Sequence, residues 1–560
     1  QADPCVVVSV SDTGELQLSA LGELHLDRCV KDLRTRFARV DIKVSPPILN
    51  FMETVLSPGS PPPPAAPVAA ALAVVDAAAA AVMGGTPVGA DGDGSVGDAA
   101  SVVSGGGAAA AAAAATAAVP TPAAVGVAGS AASIAYYPSS ATVVPEAGVC
   151  FYVPLGSVLG TTPERSVTLR VRAAALPDGI TRALEGASEG LRAATAASAT
   201  AAGAGGGSGA GSGAGSAEAA AAASAAAART HAQLAAAFTD AGGIWPPLAD
   251  AILAAGPKGC GPNILVATSP TPVSLVSRGG PARTLRLPSL WQAAAASAPS
   301  GSGGDGEVES VATASWLAAL RAAVVQGFQL ATGTGPLCGE PLWGVAFLLD
   351  EVRVRDAAAP PPSGADGESS AATAAATTTR LPPLPAGALI PIVRDACRTA
   401  FQAATPRLVE AMFACELACS GGRGGGVSGE QLGKLYGVLA RRRGEVVSED
   451  MTEGTQTFLI HALLPVVESF GFADDLRKRT SGAATSAQLL FSHWVVMPQD
   501  PFFTPTTDKE REEYGDTVHE GQVNNIARKY MDAVRTRKGM PVEKQVVKDA
   551  EKQRNLGRKK

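Results

Sequence analysis

Five histidines, at 25, 231, 461, 493 and 519, are spread over 560 residues, and the last four suggest no Ser/His/Asp or Cys/His arrangement. A serine or cysteine nucleophile needs a base within hydrogen-bond reach. His25 lies on an amphipathic stretch with no serine or cysteine set up for attack beside it, so it reads as structural. A phosphate cradle would need G-x-x-x-x-G-K-[S/T], in which backbone N–H groups hold the phosphates and a hydroxyl binds Mg²⁺. The nearest match, Gly429 to Leu435 (GEQLGKL), is one residue short between its glycines and ends in a leucine that ligates nothing. It reads as a loop entering a helix. The stretch from Gly256 to Leu265 (GPKGCGPNIL) has the glycines of an anion-binding loop, but Gly and Pro also serve turns, by allowing positive φ or fixing it. Eight cysteines include no CxxC pair. Cys415 and Cys419 sit in an apolar run and read as buried thiols rather than zinc ligands. No catalytic, cofactor-binding or metal-ligating residues are therefore expected within this chain.

Clusters of cations are what remain. Arg441, Arg442 and Arg443 end one helical stretch, and Arg477, Lys478 and Arg479 end another. Arg528, Lys529, Arg535, Arg537 and Lys538 open a tail that carries 12 Lys/Arg against 4 Asp/Glu from Ile526 to Lys560, in a chain whose net charge is −6. Cations at a helix end complement its dipole. Cations gathered on one face also pair with nucleic-acid phosphates. These eleven residues are the candidate RNA-binding set.

The elements that would position them lie in islands. Stretches near 57–133, 194–230, 293–312, 356–380 and 420–428 are Ala/Gly/Ser/Pro-rich without amphipathic period and read as disordered insertions, with transient helix at Ala217–Arg229. Between them, residues 1–56 read as strand (6–10), turn, strand (15–20), helix (22–37) and strand (40–44). A discontinuous domain spans 51–403, with a strand at 167–171 and a helix at 390–403. Residues 404–503 read as strand (408–417), helix (430–441), strand (445–450), strand (457–464), helix (466–478) and strand (488–497). That is a ferredoxin-like βαββαβ unit, whose two helices share one sheet face and could bring both basic ends to a common edge. In the tail 504–560, Ala527, Tyr530, Met531 and Val534 form one apolar stripe, expected to pack back on 405–503, and Val542, Val546, Val547 and Ala550 form another. The fold class expected is α+β and multidomain. No signal peptide or membrane span is evident, and scattered free cysteines suit a reducing compartment.

Several motifs resemble one family in one order. GELHLD (22–27) followed by KDL (31–33) is similar to the domain III helix of elongation factor 2-like GTPases. SPP (45–47) and ETV (53–55) resemble the exit into domain IV. GCGPNIL (259–265) and GFQLAT (327–332) resemble domain IV. YGVL (436–439), RG (443–444), ESFGF (468–472), HW (493–494) and DPF (500–502) resemble domain V. The translocating factor of this family carries a modified histidine on a domain IV loop. The corresponding stretch here, Gly344–Arg355 and the run to Thr379, has no histidine. FADDLRKRTSG (472–482), DPFFTPTT (500–507) and NIARKYMDAVRTRK (525–538) instead resemble the branch of elongation factor-like GTPases that assembles the large ribosomal subunit.

That resemblance implies the end of a ferredoxin-like domain III (1–50), a domain IV like the second domain of ribosomal protein S5 (51–403), a ferredoxin-like domain V (404–503) and a basic helical tail (504–560). It implies a cytoplasmic GTP hydrolase that acts on the 60S subunit and its rRNA. Its expected partners are a protein of the Shwachman–Bodian–Diamond family and the anti-association initiation factor that is released. GTP and Mg²⁺ are expected in a G domain upstream of Gln1, with this chain as the ribosome-binding part of a longer protein. Two alternatives stay open: a diverged elongation factor 2 translocase, and a noncatalytic ribosome-binding module without a G domain.

Overall fold

The structure is a computed structural model. It describes residues 3–56 except 11–13, 21, 39 and 46, short strands between 123 and 153, 157–268 except 165 and 204–213, then 273–276, 283–295, 307–355, 384–420, 429–452, 457–484, 488–503, 508, 509, 512 and 525–542. The proposed insertions at 356–380 and, past its first residue, 420–428, most of 57–133 and the second tail stripe beyond Val542 lie outside the described residues. Two compact units are seen. One lies within Gln1–Asn50 and Glu410–Val495. The other lies within Phe51–Pro63, Pro87–Val409 and Val496–Lys560.

The first unit begins with a hairpin of β1 (Val7–Val10) and β2 (Leu16–Ser19), in which Val7 faces Ser19. Helix α1 (Glu23–Asp32) follows and ends in a π-helical turn over Leu33–Phe37. The strand expected at 40–44 does not form. Among the described residues no strand runs beside it to take its backbone groups, and Val40 and Val44 are exposed.

The rest of this unit holds β15 (Pro406–Ser420, entered from the second unit), α8 (Gly429–Arg441), β16 (Glu445–Thr452), β17 (Thr457–Pro465), α9 (Phe472–Arg479) and β18 (Gln488–Val496). The strand order β16-β17-β15-β18 is that of a split βαβ unit. Apolar residues at helical spacing on α8 (Leu435, Val438, Leu439) and α9 (Phe472, Leu476) meet the alternating inner face of the strands (Cys415, Leu417, Ile460, Leu464). Burial pushes the Cys415 thiol up to about 12, as a buried and inert cysteine should be. Helix α9 starts six residues later than its apolar pattern suggests. A 3₁₀ turn at Val466–Glu468 comes first, and Gly471 takes φ 67° at the N-cap.

The second unit opens with β3 (Phe51–Val55), which pairs with the start of β15. Its main sheet includes β4 (Ala123–Val125), β5 (Ser133–Tyr136), β8 (Val158–Thr161), β9 (Val167–Ala175), β10 (Ile252–Gly256), β11 (Asn263–Ala267), β12 (Val273–Val276), β13 (Arg283–Leu285) and β14 (Val345–Arg355). Strands β6 (Thr142–Glu146) and β7 (Val149–Val153) form a separate hairpin. The spine is β14. Its first half runs parallel to β11, its second half parallel to β12, and β9 lies antiparallel along it with a bulge between Leu349 and Glu351.

Helices cover both sheet faces. On one, α2 (Asp178–Gly186), α3 (Ser188–Gly203), α4 (Ala214–Ala241) and α5 (Leu290–Ala295) bury Ile180, Leu184, Leu191, Leu234 and Phe238 against Ile252, Ile264 and Leu348. On the other, α6 (Glu307–Gly333) and α7 (Ala386–Ala403) cross where Gly327 has no side chain. A Cβ there would stand 2.6 Å from Val393 and 2.7 Å from the Ile390 carbonyl. Phe328 meets Phe347 edge-on, with centroids 5.9 Å apart, which contributes about 0.5–1.5 kcal/mol beyond its buried area.

The expectation of disorder over 194–230 is overturned in part, since α3 and α4 run into that stretch from both sides. Ala194, Ala197, Ala227 and Thr230 are buried. Alanine has the highest helix propensity and costs no side-chain entropy, so an alanine tract needs only a nearby helix to become ordered. The expected insertion at 293–312 is likewise entered at both ends, by α5 and α6.

Candidate nucleic-acid interface

The three arginines that end α8 differ in what they touch. Arg441 is exposed. Arg442 folds inward: Nη1 donates to the Glu468 and Phe470 carbonyls at 2.6 and 2.7 Å, Nη2 meets Asp475, and the guanidinium lies over the Phe472 ring. The Arg442 guanidinium holds the Asp475 carboxyl below the usual carboxylate range. Arg443 closes the helix in the left-handed region, φ 58°, with Gly444 N–H donating to Leu439 O at 2.8 Å and Arg443 N–H to Ala440 O at 3.2 Å. Its guanidinium is fixed on the carboxylate of Glu410, which is 3% exposed.

Arg442 therefore brings the end of α8 to the start of α9, not to its end. The common basic edge expected from the two helix ends is not what forms. Arg477, Lys478 and Arg479 lie one turn further along α9, all exposed, with Arg477 3.4 Å from Asp474. Within this unit the exposed cations of the candidate set are thus Arg441, Arg477, Lys478 and Arg479, with Asp474 and Asp475 set among them. The two acids were not weighed in the sequence, although D-D-L-R-K-R carries them in plain view.

In the second unit, the tail helix α10 (Ile526–Arg537) is capped by Asn525, whose side chain accepts from Arg528 N–H at 3.0 Å. Ala527, Met531 and Val534 are buried, and Tyr530 stacks on Phe51 with centroids 5.6 Å apart. The stripe thus meets β3, which pairs with β15, while Asn525 donates to Asp500 O and Ile526 N–H to Gln499 Oε1 at 2.8 Å, both within the 405–503 stretch, and the last turn reaches the loop after α6. That loop consumes the cations of the last turn. Arg535 donates to Leu337 O, Arg537 reaches Glu340 at 3.3 Å, and Lys538 donates to Gly339 O at 2.7 Å and pairs with Glu340 at 2.9 Å. Arg528 stands 3.9 Å from Asp532, and Lys529 is exposed. Because charge-assisted bonds of this kind contribute about 1.5–3 kcal/mol each at most, replacing Arg535 and Lys538 together by alanine is expected to weaken docking of α10 by ~2–4 kcal/mol. Limited proteolysis should then cut within 525–542 well before the rest of the chain.

The glycine- and polar-rich motifs hold the unit together rather than open a ligand site. Asn263 is fully buried. Its amide donates to the Gly256 and Leu342 carbonyls at 3.0 and 2.7 Å, and its oxygen accepts from Val345 N–H at 3.0 Å. Gln329 donates to Ala255 O at 2.6 Å and accepts from Gly259 N–H at 3.2 Å, so the GPKGCG loop is tied to α6. Glu53 is fully buried and accepts from Leu337, Cys338 and Glu340 N–H at 2.8, 2.9 and 3.1 Å. Burial pushes its carboxyl above the usual range, and the three donors pull it back. In the first unit, Glu23 accepts Gly471 N–H with both oxygens, 3.1 and 2.9 Å, placing an anion at the N-terminus of α9. Two motifs far apart in sequence meet there.

Residues 426–504 match the family described as Elongation factor G C-terminus. The whole chain aligns with Elongation factor-like GTPase 1 of Homo sapiens at 33% identity, covering 43% of that protein. Ribosome assembly protein 1 of Schizosaccharomyces pombe aligns with 99% of the chain at 29% identity, over 41% of its own length. Ribosome assembly protein 1 of Saccharomyces cerevisiae aligns with 42% of the chain at 40% identity, over 19% of its length. The chain spans less than half the length of these relatives. Among the described residues, no helix is long and apolar enough to cross a membrane.

Proposed function

Because the chain belongs to the elongation factor 2-like family of translation GTPases, on its ribosome-assembly branch, we propose that it is the ribosome-binding C-terminal portion of a GTPase that matures the 60S subunit. The carrying observation is an alignment that spans the full length of the chain with a relative named Elongation factor-like GTPase 1. The chain performs no bond chemistry. GTP and Mg²⁺ are bound by a G domain upstream, and the two units described here seat that domain on the large subunit in the cytoplasm. Within the first unit, residues 1–50 act as the end of domain III and the β15–β18 part as domain V, and the second unit contains a domain IV of the ribosomal protein S5 type. With a partner of the Shwachman–Bodian–Diamond family, the assembled protein promotes release of the anti-association initiation factor.

Arg441, Arg477, Lys478 and Arg479 are the residues best placed to meet rRNA phosphates, since they are the cluster cations of the first unit left facing solvent. The test is charge reversal of Arg477, Lys478 and Arg479 to glutamate, followed by binding to purified 60S subunits across a salt series. Each phosphate contact contributes about 0.7–0.9 to the slope of log K against log salt, so losing three should flatten it by roughly 2–3 and weaken binding ~10–100-fold. An unchanged slope would remove this edge from the interface.

A further inference from the structure

We propose that Asp3, His25 and Cys29 form a Zn²⁺ site in the first unit. His25 and Cys29 are four residues apart on α1, so their side chains share one face. Asp3 approaches that face from the segment before β1. His25 Nε2 stands 2.8 Å from Asp3 Oδ2. One ligand atom from each of the three residues lies within 4.8 Å of the other two. Ligand atoms on a tetrahedral zinc, with bonds of about 2.0–2.3 Å, stand roughly 3.3–3.6 Å apart, so the side chains need only small rotations to close on an ion.

The second Asp3 oxygen is held by Cys5 N–H at 2.9 Å. This outer bond aims the other oxygen at His25, as the supporting shell of a metal site does. All three side chains are half-buried, so the site has both shape and an entry path. The set of one imidazole, one thiolate and one carboxylate suits Zn²⁺. It is too soft and too poor in oxygen for Ca²⁺ or Mg²⁺. On binding, Cys29 loses its S–H proton to solvent, and its sulfur lone pair goes to the metal with no change of redox state. Water takes the fourth position. The ion clips the segment before β1 to α1, and nothing in this inference depends on the ribosomal role.

The test uses the full chain, stripped with a chelator and titrated with Zn²⁺ against a competing indicator dye, and with Co²⁺ as a spectroscopic probe. One ion per chain is expected, with a thiolate-to-cobalt charge-transfer band in the near ultraviolet. Cys29→Ala should abolish that band. Asp3→Asn, which keeps a hydrogen bond to His25 and so preserves the local fold, should weaken Zn²⁺ at least ~10-fold. Cys260→Ala should change neither. Circular dichroism of each apo variant, matching that of the parent, establishes that folding is intact. The site is refuted if no stoichiometric binding occurs, if the cobalt complex lacks the thiolate band, or if Asp3→Asn and Cys29→Ala bind Zn²⁺ like the parent. The Asp3–His25 contact is then an ion pair only.

Discussion

Replacing Glu53 by alanine is expected to destabilise the second unit by about 3–5 kcal/mol, the cost of stranding buried partners of a charged group. Three backbone N–H groups, of Leu337, Cys338 and Glu340, donate to this one carboxylate. They sit in a turn too tight for those groups to reach water, and the turn is built around the side chain. A Cβ on Gly335 would stand 2.1 Å from Glu53 Oε2, so the loop closes over the carboxylate because that residue is glycine. The same loop receives Arg535, Arg537 and Lys538, so its collapse should also release α10. Glu53→Gln keeps one acceptor oxygen but turns an amide N–H toward backbone donors, and about 1–3 kcal/mol is expected from the stranded donor. Urea melts followed by tryptophan fluorescence report the change, since the Trp343 backbone N–H donates to Glu53 O at 2.8 Å and its indole N–H to Glu185 Oε1 at 2.7 Å. An alanine variant as stable as the parent would mean that the three donors find other partners.

Arg443→Ala is expected to cost the first unit about 3 kcal/mol, because it leaves the Glu410 carboxylate buried without its cation. Arg443→Gly removes the same cation but relieves a left-handed backbone, so it should be the milder change by about 1 kcal/mol. Combining Arg443→Gly with Glu410→Gln takes away both charges and should recover a large part of the loss. The ordering glycine above alanine separates backbone strain from lost charge. Thermal melts that rank alanine equal to or above glycine would contradict the strained cap. In either variant 60S affinity should change far less than in the charge-reversed α9 edge, since Arg443 faces Glu410 rather than solvent.

The ferredoxin-like sheet was legible because its signals agree at every level. Strands 406–420, 445–452, 457–465 and 488–496 show apolar alternation or runs, and α8 shows leucines at helical spacing. What failed did so for local reasons. Alanine carries helix propensity without hydrophobic contrast, so the ordered ends of α3 and α4 looked like insertion. Val40–Val44 alternates like a strand, yet pairing requires a neighbour that its own residues do not encode. The candidate interface was legible only as composition. Arg441, Arg442 and Arg443 are identical in type, but Asp475 and Glu410, each 33 residues from the arginine it pairs with, turn two of them inward. The same holds for Arg535 and Lys538, whose partners at 337–340 lie nearly 200 residues away in sequence. The sequence reading left His25 without a cysteine beside it, although Cys29 follows it by one helical turn, and Asp3 joins the pair only through the turn of the chain between β1 and α1.

The proposed role in ribosome assembly is tested most directly by complementation. The chain would replace the stretch of Schizosaccharomyces pombe Ribosome assembly protein 1 with which it aligns, in cells depleted of the native copy. The proposed function predicts that free 60S subunits again lose their anti-association factor and enter 80S ribosomes, and that the charge-reversed α9 variant fails to do this. A chimera that accumulates and binds 60S subunits without restoring joining, or that replaces elongation factor 2 in polypeptide elongation, would contradict it.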